Sequence, residues 1–188
     1  MPTPKVQFES GTFYHVWTHA NGLDNLFREE DNYQFFFSKY AIYIHSLAKT
    51  FAYCLMPNHF HLMIQIRESL VNNPSQAFSN FFKLLHPSIQ QKKYQRKGSL
   101  FIPNIDRRKI ESDSYFTRCI TYIHQNPANH GFVKDFRDWK FSSWKSFLSE
   151  SPTKLEKQVV LDWFGGIEGF IKDHQMKYNQ ENEWIFGK

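Results

Sequence analysis

The sequence predicts an α+β fold in which four antiparallel strands form one sheet and two helices cover one of its faces. Three observations lead to this prediction. Short alternating segments rich in aromatic and β-branched residues indicate strands, and longer segments with apolar residues at helical spacing indicate helices. The two kinds of segment follow one another as strand, helix, strand, strand, helix, strand, which is the order of a split βαβ arrangement.

The first four elements come from the N-terminal part of the chain. Residues 12–18 alternate in character and precede the turn signal Asn21-Gly22, which indicates a first strand. Apolar side chains then recur at helical spacing from Glu29 to Lys49 and predict a long helix. The segments FAYCLM and HFHLMIQI, on either side of Pro57-Asn58, predict two short strands joined by a tight turn.

The second helix and the fourth strand follow. Asn73-Pro74 opens a helix that runs towards Lys93, and Pro87 should kink or end it. The segment SLFIPNI predicts a fourth strand, which should lie at a sheet edge because Pro103 cannot donate a ladder hydrogen bond. These six elements would form a ferredoxin-like antiparallel sheet with both helices on one face.

A third helix and an aromatic-rich tail complete the chain. The helix is predicted from Asp113, with Ser112 as its cap. Asn126-Pro127 should stop this helix, because a residue before proline avoids helical geometry. From residue 129 onward, short clusters of Trp and Phe indicate a tail that packs on the core.

The length and composition suit one compact domain. The chain has 188 residues, of which 41% are hydrophobic and 18% are aromatic, so it can bury a sizeable core. We expect a single domain over residues 1–188, with its core at about 12–130 and a C-terminal extension at about 131–188. Lys and Arg outnumber Asp and Glu by 23 to 18, and the net charge of +5 permits an anionic partner without requiring one.

The sequence carries few signals for targeting or for cross-linking. Cys54 and Cys119 are the only cysteines and form no Cys-X-X-Cys pair, so we predict neither a disulfide framework nor a cysteine zinc site. The N-terminal segment lacks the apolar run of a signal peptide, and no run of about 18 apolar residues occurs. We therefore expect a soluble, cytoplasmic protein with no membrane partner.

The triplet His59-Phe60-His61 is the most informative short motif. Successive side chains of a strand point to opposite faces, so both imidazoles should project from one face while Phe60 enters the core. Two neutral imidazoles at that spacing can hold one divalent metal ion. An isolated pair of this kind more often sits on a half-exposed strand without a ligand, so the interpretation depends on the residues that surround it.

Tyr122 and Asn126 supply that context. They lie four residues apart on the predicted third helix and therefore face the same way, one turn from each other. A tyrosine nucleophile and a third, oxygen ligand could thus meet the metal together. The metal would polarise a phosphodiester while the phenolate attacks phosphorus and forms a phosphotyrosine. Because an aryl phosphate stores the energy of the cleaved bond, a DNA hydroxyl can reverse the reaction.

Three longer segments then make the sequence recognisable: YCLMPNHFHLMI, TRCITYIHQNPANHGFV and DWKFSSWKSF. They resemble the single-tyrosine HUH transposases, particularly the REP-associated tyrosine transposases. The resemblance implies a ferredoxin-like catalytic core, single-stranded or hairpin DNA as substrate, and Mg²⁺ or Mn²⁺ as cofactor. It implies an enzyme that nicks and rejoins single-stranded DNA through a transient 5′-phosphotyrosine and a free 3′-hydroxyl.

The resemblance also assigns roles to individual residues. The HUH pair falls on His59 and His61, and the nucleophile of the family's YIxxNP segment falls on Tyr122. The polar residue one turn later falls on Asn126, where related transposases often have glutamine. Related insertion-sequence transposases act as dimers that exchange the tyrosine helix, whereas the REP-associated branch can act as monomers. A homodimer therefore stays one of two expectations.

Three further side chains could take part in the site. Tyr115 is seven residues before Tyr122 on the same helical face and is the one rival nucleophile. His124 points off that face, which favours a structural or solvent-facing role. His15 lies on the first strand, which neighbours the third in a ferredoxin-like sheet, so it could approach the metal or a phosphate, although a packed or surface histidine is the commoner case.

Basic residues flank the proposed site in sequence and predict a track for DNA phosphates. The candidate nucleic-acid-binding residues are Lys92, Lys93, Arg107, Arg108 and Lys109, with Lys83, Arg96 and Lys97 nearby. Exposed aromatic side chains could stack on unpaired bases, although most must lie in the core because their spacing is amphipathic.

Two other classes of function stay open. One is a domesticated module that binds DNA hairpins and has lost turnover, and it would need neither the histidine pair nor Tyr122 and Asn126. The other is a ferredoxin-like RNA-binding protein with incidental histidines, which would prefer RNA to a DNA hairpin and require no metal.

Overall fold

The computed structural model of the protein describes residues 7–22, 24–68, 73–86 and 105–176. Its centre is one sheet of four strands in the order β2-β3-β1-β4, and every neighbouring pair is antiparallel. The predicted α+β class and antiparallel sheet are therefore confirmed. The strands are β1 (Phe13–His19), β2 (Ala48–Met56), β3 (His59–Ile66) and β4 (Asp106–Lys109).

Two helices cover one face of the sheet, α1 (Glu30–Tyr43) and α2 (Pro74–His86). Phe60 of β3 is fully buried beneath them, with its ring centroid 5.2 Å from that of Phe36 on α1 and 5.7 Å from that of Phe82 on α2. The prediction that Phe60 enters the core is thus confirmed. Burying one such side chain contributes about 1.5–3 kcal/mol, so this core holds the strands in register.

The opposite face of the sheet is covered by the third helix, α3 (Asp113–Asn129), and by the tail. Cys119, Ile120 and Ile123 of α3 are fully buried in a second core with Met63 of β3. The Ser112 hydroxyl accepts a hydrogen bond from the Tyr115 backbone N–H, as its predicted capping role requires. The tail contributes a short 3₁₀ helix (Phe136–Asp138), α4 (Trp144–Leu148), α5 (Lys157–Trp163) and α6 (Ile167–Gln175).

The first helix is shorter than the sequence predicts. The prediction of helix up to Lys49 was wrong, because α1 ends at Tyr43 and β2 already begins at Ala48. Ala48 and Lys49 pair with Ile66 and Gln65 of β3. The apolar residues near the end of the predicted helix therefore belong partly to a turn and partly to the edge strand.

The third helix is longer than predicted. Pro127 was expected to stop it but lies inside it, and the helix continues to Asn129. Pro127 has no backbone N–H, so one hydrogen bond within the helix is missing. The helix tolerates this loss because the proline lies in its last turn and its ring is buried. The backbone N–H of His130 still donates to the Asn126 carbonyl at 3.0 Å and continues the helical pattern past the proline.

Two parts of the prediction fall outside the described residues. Helix α2 is described as far as His86, and Pro87 and the predicted segment up to Lys93 lie outside the described residues. The predicted fourth strand, at 99–105, also lies outside it except for its last residue. The fourth strand that the structure does describe begins directly afterwards, at Asp106, and it is an edge strand.

Two other sequence predictions can be compared with the described residues. Both cysteines are free and buried, so they form neither a disulfide nor a cysteine cluster. No helix in the described ranges is both long and apolar enough to cross a bilayer.

A chain of buried hydrogen bonds fastens α3 to the tail. His124 Nδ1 lies 2.8 Å from His174 Nε2 of α6, and His124 Nε2 lies 2.7 Å from the Ser143 hydroxyl. His174 Nδ1 is 2.8 Å from the Phe170 carbonyl oxygen, which can only accept, so this nitrogen carries the proton. When both imidazoles are neutral, His124 therefore donates to His174 and accepts from Ser143. This places His124 in a structural role, not at a solvent-facing position.

This network predicts a loss of stability in acid. Burial lowers the pKa of His174 from 6.5 to about 4. Between these values the unfolded chain binds a proton that the folded protein excludes, so the free energy of unfolding should fall as pH decreases, with up to about 3 kcal/mol from His174. In urea titrations, His174→Gln should lose less stability on acidification than the parent. His45→Gln, outside the network, is the control, and an identical pH dependence in parent and His174→Gln would contradict the account.

The contact between α5 and α6 gives a second prediction. A Cβ atom on Gly169 would lie 1.9 Å from the backbone oxygen of Phe164. That oxygen cannot rotate away, so Gly169→Ala must push the two segments apart and should lower the free energy of unfolding by roughly 1–3 kcal/mol. Lys172→Ala, at an exposed position of the same helix, should change it by less than about 0.5 kcal/mol. Equal unfolding midpoints for the two variants would refute the close approach.

Candidate metal and nucleophile site

The histidine pair lies on the sheet face that α3 covers. In the antiparallel pairing of β1 with β3, Trp17 is opposite His61 and His19 is opposite His59. Directly opposed residues share a face, so the side chains of His15, Trp17 and His19 join the histidine pair there. Both His59 and His61 are only 1% exposed. The predicted placement of the pair on one face therefore holds, but the pair is buried rather than open to water.

His59 lies between two amides. Its Nδ1 is 2.7 Å from Asn58 Oδ1, and its Nε2 is 3.2 Å from Asn126 Oδ1 of α3. If neutral His59 donates its Nδ1–H to Asn58, then Nε2 and Asn126 Oδ1 present lone pairs to each other. Asn126 Nδ2 is itself buried without a hydrogen-bond partner in the described structure. A cation held between the two lone pairs would resolve their repulsion, and so would rotation of an amide group.

Tyr122 packs against His61. The two ring centroids are 5.5 Å apart and the ring planes are nearly perpendicular, at 87°. Tyr122 is partly exposed, one turn before the fully buried Asn126. The structure therefore brings together the four residues that the sequence selected, with Tyr122 at His61 and Asn126 at His59.

Burial keeps both histidines of the pair neutral. Desolvation lowers the pKa of His59 to about 3 and that of His61 well below its usual value, and the neighbouring histidines add to the effect. A neutral imidazole has a free lone pair on one ring nitrogen, which a metal ion requires. The pair is thus in the protonation state of metal ligands at neutral pH.

The donor set fits a divalent cation in chemical type. Within the described ranges, no group of three or more His, Cys, Asp or Glu side chains could hold a metal ion. The candidate set differs from such a group because its third member is the amide oxygen of Asn126. Asn126 Oδ1 and His59 Nε2 are 3.2 Å apart. Two neighbouring ligand atoms have about this separation when each lies about 2.1–2.2 Å from the same ion.

Two histidines near the site were missed by sequence reasoning. The His19 ring stacks on His59 with centroids 4.7 Å apart and planes 16° apart, and the His130 ring lies 4.7 Å from His59 on another side. His15, which was considered, shares a hydrogen bond of 2.9 Å with His61. The spacing of His15 and His19 on one strand, both on the face of the pair, was a signal for His19. His130 follows the predicted helix end and had no such signal.

The predicted basic residues divide between the two faces of the sheet. Arg108 lies opposite His15 in the β1–β4 pairing and so shares the histidine face. Arg107 and Lys109 face the other side, where Arg107 lies 4.2 Å above the Phe8 ring and Lys109 pairs with Glu9 at 2.6 Å. Lys92 and Lys93 lie outside the described residues. All five stay predictions as contacts for nucleic acid.

A cavity of about 740 Å³ opens beside Arg108 at the start of α3. Tyr115 and Arg118 line it together with acidic side chains, so the rival nucleophile lies towards β4 and away from the histidine pair. Arg118 is exposed, four residues before Tyr122 and on the same side of α3. The cavity therefore lies beside the first turns of α3, on the N-terminal side of Tyr122.

A histidine pair on a central strand, beneath a helix that carries tyrosine and asparagine, is the arrangement expected for the single-tyrosine HUH class. Known proteins that are similar to this chain bear on that expectation. No family model matches the sequence. A Haemophilus influenzae protein provisionally named REP-associated tyrosine transposase is 28% identical over 104 residues, which cover 51% of this chain and 58% of that protein. The match thus spans little more than half of the relative.

The fold comparison agrees with the sequence match. A solved structure of a REP-associated tyrosine transposase bound to a REP hairpin is similar to this chain with a TM-score of 0.66 and 18% identity. The likeness covers 81% of this chain and 89% of that one. The two comparisons confirm the resemblance of this chain to the REP-associated tyrosine transposases.

Proposed function

We propose that the protein is a metal-dependent enzyme that nicks and rejoins single-stranded or hairpin DNA through a covalent phosphotyrosine. The observation that carries this proposal is the meeting of Tyr122 with His61 and of Asn126 with His59. Elements far apart in sequence converge there on one small site. The solved relative is bound to a REP hairpin, which supports DNA with hairpin structure as the substrate class.

Tyr122 acts as the nucleophile in this proposal. Its phenolic oxygen attacks the phosphorus of a phosphodiester and forms a new O–P bond, and the bond from phosphorus to the 3′-oxygen breaks. The phenolic proton is lost to solvent and the departing 3′-oxygen gains one, so the products are a 5′-phosphotyrosine and a 3′-hydroxyl. Attack by a 3′-hydroxyl on the phosphotyrosine reverses these bond changes and rejoins the strand.

His59, His61 and Asn126 hold the divalent cation in this proposal. A bound Mg²⁺ or Mn²⁺ supplies Lewis-acid polarisation of the phosphodiester and stabilises the charge that develops on it. Two imidazoles make the donor set softer than the all-oxygen sites that Mg²⁺ prefers, which favours Mn²⁺. Their burial excludes competing protonation and keeps the ligands ready at neutral pH.

The helix that carries Tyr122 and Asn126 makes contacts on two of its sides. Asn126 contacts His59, and the neighbouring His124 is bonded to Ser143 and His174 on the other side of α3. Exchange of this helix between two copies would have to break these buried contacts and form them again. The same contacts can form within one chain or between two chains that exchange the helix, and the mass of the protein in solution distinguishes the two.

Tyr122→Phe should abolish formation of the covalent DNA adduct, because the phenolic oxygen forms the bond to phosphorus. Denaturing gels of protein mixed with labelled hairpin oligonucleotides, with and without Mn²⁺, measure the adduct. Tyr115→Phe is the matched control and should retain it. An adduct that persists in Tyr122→Phe would refute the nucleophile, and hairpin binding by the parent without any adduct would favour the domesticated binding module.

Adjacent residues of β4 allow a test of the DNA surface. Arg108→Ala should weaken binding of a DNA hairpin and reduce the salt dependence of log K by about one unit per lost phosphate contact. Lys109→Ala should change both less, because Lys109 faces the other side of the sheet and pairs with Glu9. Fluorescence anisotropy over a salt series measures both quantities. Equal effects of the two substitutions would contradict the assignment of DNA to the histidine face.

A further inference from the structure

Each candidate metal ligand on β3 has a separate partner for its Nδ1 atom. Asn58 Oδ1 lies 2.7 Å from His59 Nδ1, and His15 Nε2 lies 2.9 Å from His61 Nδ1. In both rings this leaves Nε2 as the nitrogen that can bind an ion. A histidine that binds a metal commonly donates its other ring N–H to such a partner, which fixes its tautomer and orientation.

We propose that His15 is a positioning residue that accepts the Nδ1–H of His61, as Asn58 does for His59, so that both imidazoles present Nε2 to one divalent cation. This inference rests on the proposed function, because the cation is the one that the reaction uses. Neither His15 nor Asn58 touches that cation. Both act through the histidine to which each is bonded.

The surroundings of His15 hold its ring in place. Its side chain is fully buried, and its ring stacks on Trp17 with centroids 4.7 Å apart. The 2.9 Å contact with His61 leaves room for one proton between the two nitrogens. A neutral imidazole carries a proton on one ring nitrogen only, so one nitrogen of this close pair donates and the other accepts. The proposal assigns the proton to His61.

The turn between β2 and β3 holds Asn58 in a comparable way. The Asn58 carbonyl accepts a hydrogen bond from the Ala20 N–H at 2.7 Å, and the Pro57 carbonyl accepts one from the Phe27 N–H at 2.9 Å. Both donors lie in the segment that follows β1. The partners of both histidines are therefore held by neighbouring parts of the chain. His15 belongs to β1 itself, and Asn58 is hydrogen-bonded to the backbone that directly follows β1.

The first experiment reads the tautomer in metal-free protein. Long-range ¹H–¹⁵N NMR correlations of the imidazole rings should show His61 protonated on Nδ1 in the parent. His15→Phe removes the acceptor while keeping a flat ring beside Trp17, and it should change the His61 pattern. His15→Gln offers an amide oxygen near the position of the lost nitrogen and should restore the parent's pattern. A parent protein in which His61 carries its proton on Nε2 would overturn the inference.

The second experiment measures the Mn²⁺ dissociation constant by electron paramagnetic resonance, without DNA or turnover. His15→Phe should weaken binding about 10-fold to 100-fold, and His15→Gln should recover most of the loss. His45→Phe, a histidine substitution away from the site, should bind as the parent does. Thermal unfolding of each variant distinguishes a loss of Mn²⁺ affinity from a loss of fold. If His15→Phe does not fold, His15→Gln is compared with the parent instead, and it should keep most of the parent's affinity.

The outcomes separate the inference from the proposed function. If the parent binds Mn²⁺ and a folded His15→Phe binds it equally well, the positioning role of His15 is overturned and the proposed function stands. If the parent binds no Mn²⁺, the metal chemistry of the proposed function is itself overturned.

Discussion

The antiparallel pairing of β1 with β3 is the constraint on which the site depends. It sets His15, Trp17 and His19 beside the histidine pair on one face, and it leaves Phe60 for the core on the other. A slip of one residue would turn Phe60 towards α3 and both histidines into the aromatic core. The apolar packing under α1 and α2 therefore fixes the geometry of polar groups that it never touches. In this sense the packing on one face of the sheet maintains the arrangement of polar side chains on the other.

The helix that carries Tyr122 is held from two sides. Asn126 reaches forward to His59, while His124, two residues earlier, bonds to Ser143 and His174 behind. Residues two apart on a helix point in different directions. One turn of α3 therefore contacts the histidine pair through Asn126 and the tail through His124. The aromatic-rich tail thus has a physical role. It buries the back of the helix and fixes the rotation that presents Tyr122 to His61.

The sequence was most informative where local periodicity and burial agree. Strand β3 has the predicted bounds, because a short segment rich in apolar residues directly after the turn signal Pro57-Asn58 indicates a strand, and both of its faces are buried in the fold. The stop expected at Pro127 failed because tertiary packing of α3 outweighed a local preference. Arg108 lies on the opposite face of the sheet from Arg107 and Lys109. This difference follows from the pairing of β4 with β1, which the local sequence does not reveal. The bond of His124 to His174 joins residues 50 apart and has no periodic signature.

The most direct test of a site built on this pairing is a crystal structure of the protein with Mn²⁺, with anomalous diffraction used to locate the ion. The account predicts one anomalous peak within coordination distance of Nε2 of His59, Nε2 of His61 and Oδ1 of Asn126, with Tyr122 facing it. A peak bound through Nδ1, or at other residues, would contradict the arrangement. So would a crystal soaked at saturating Mn²⁺ that shows no peak at the histidine pair.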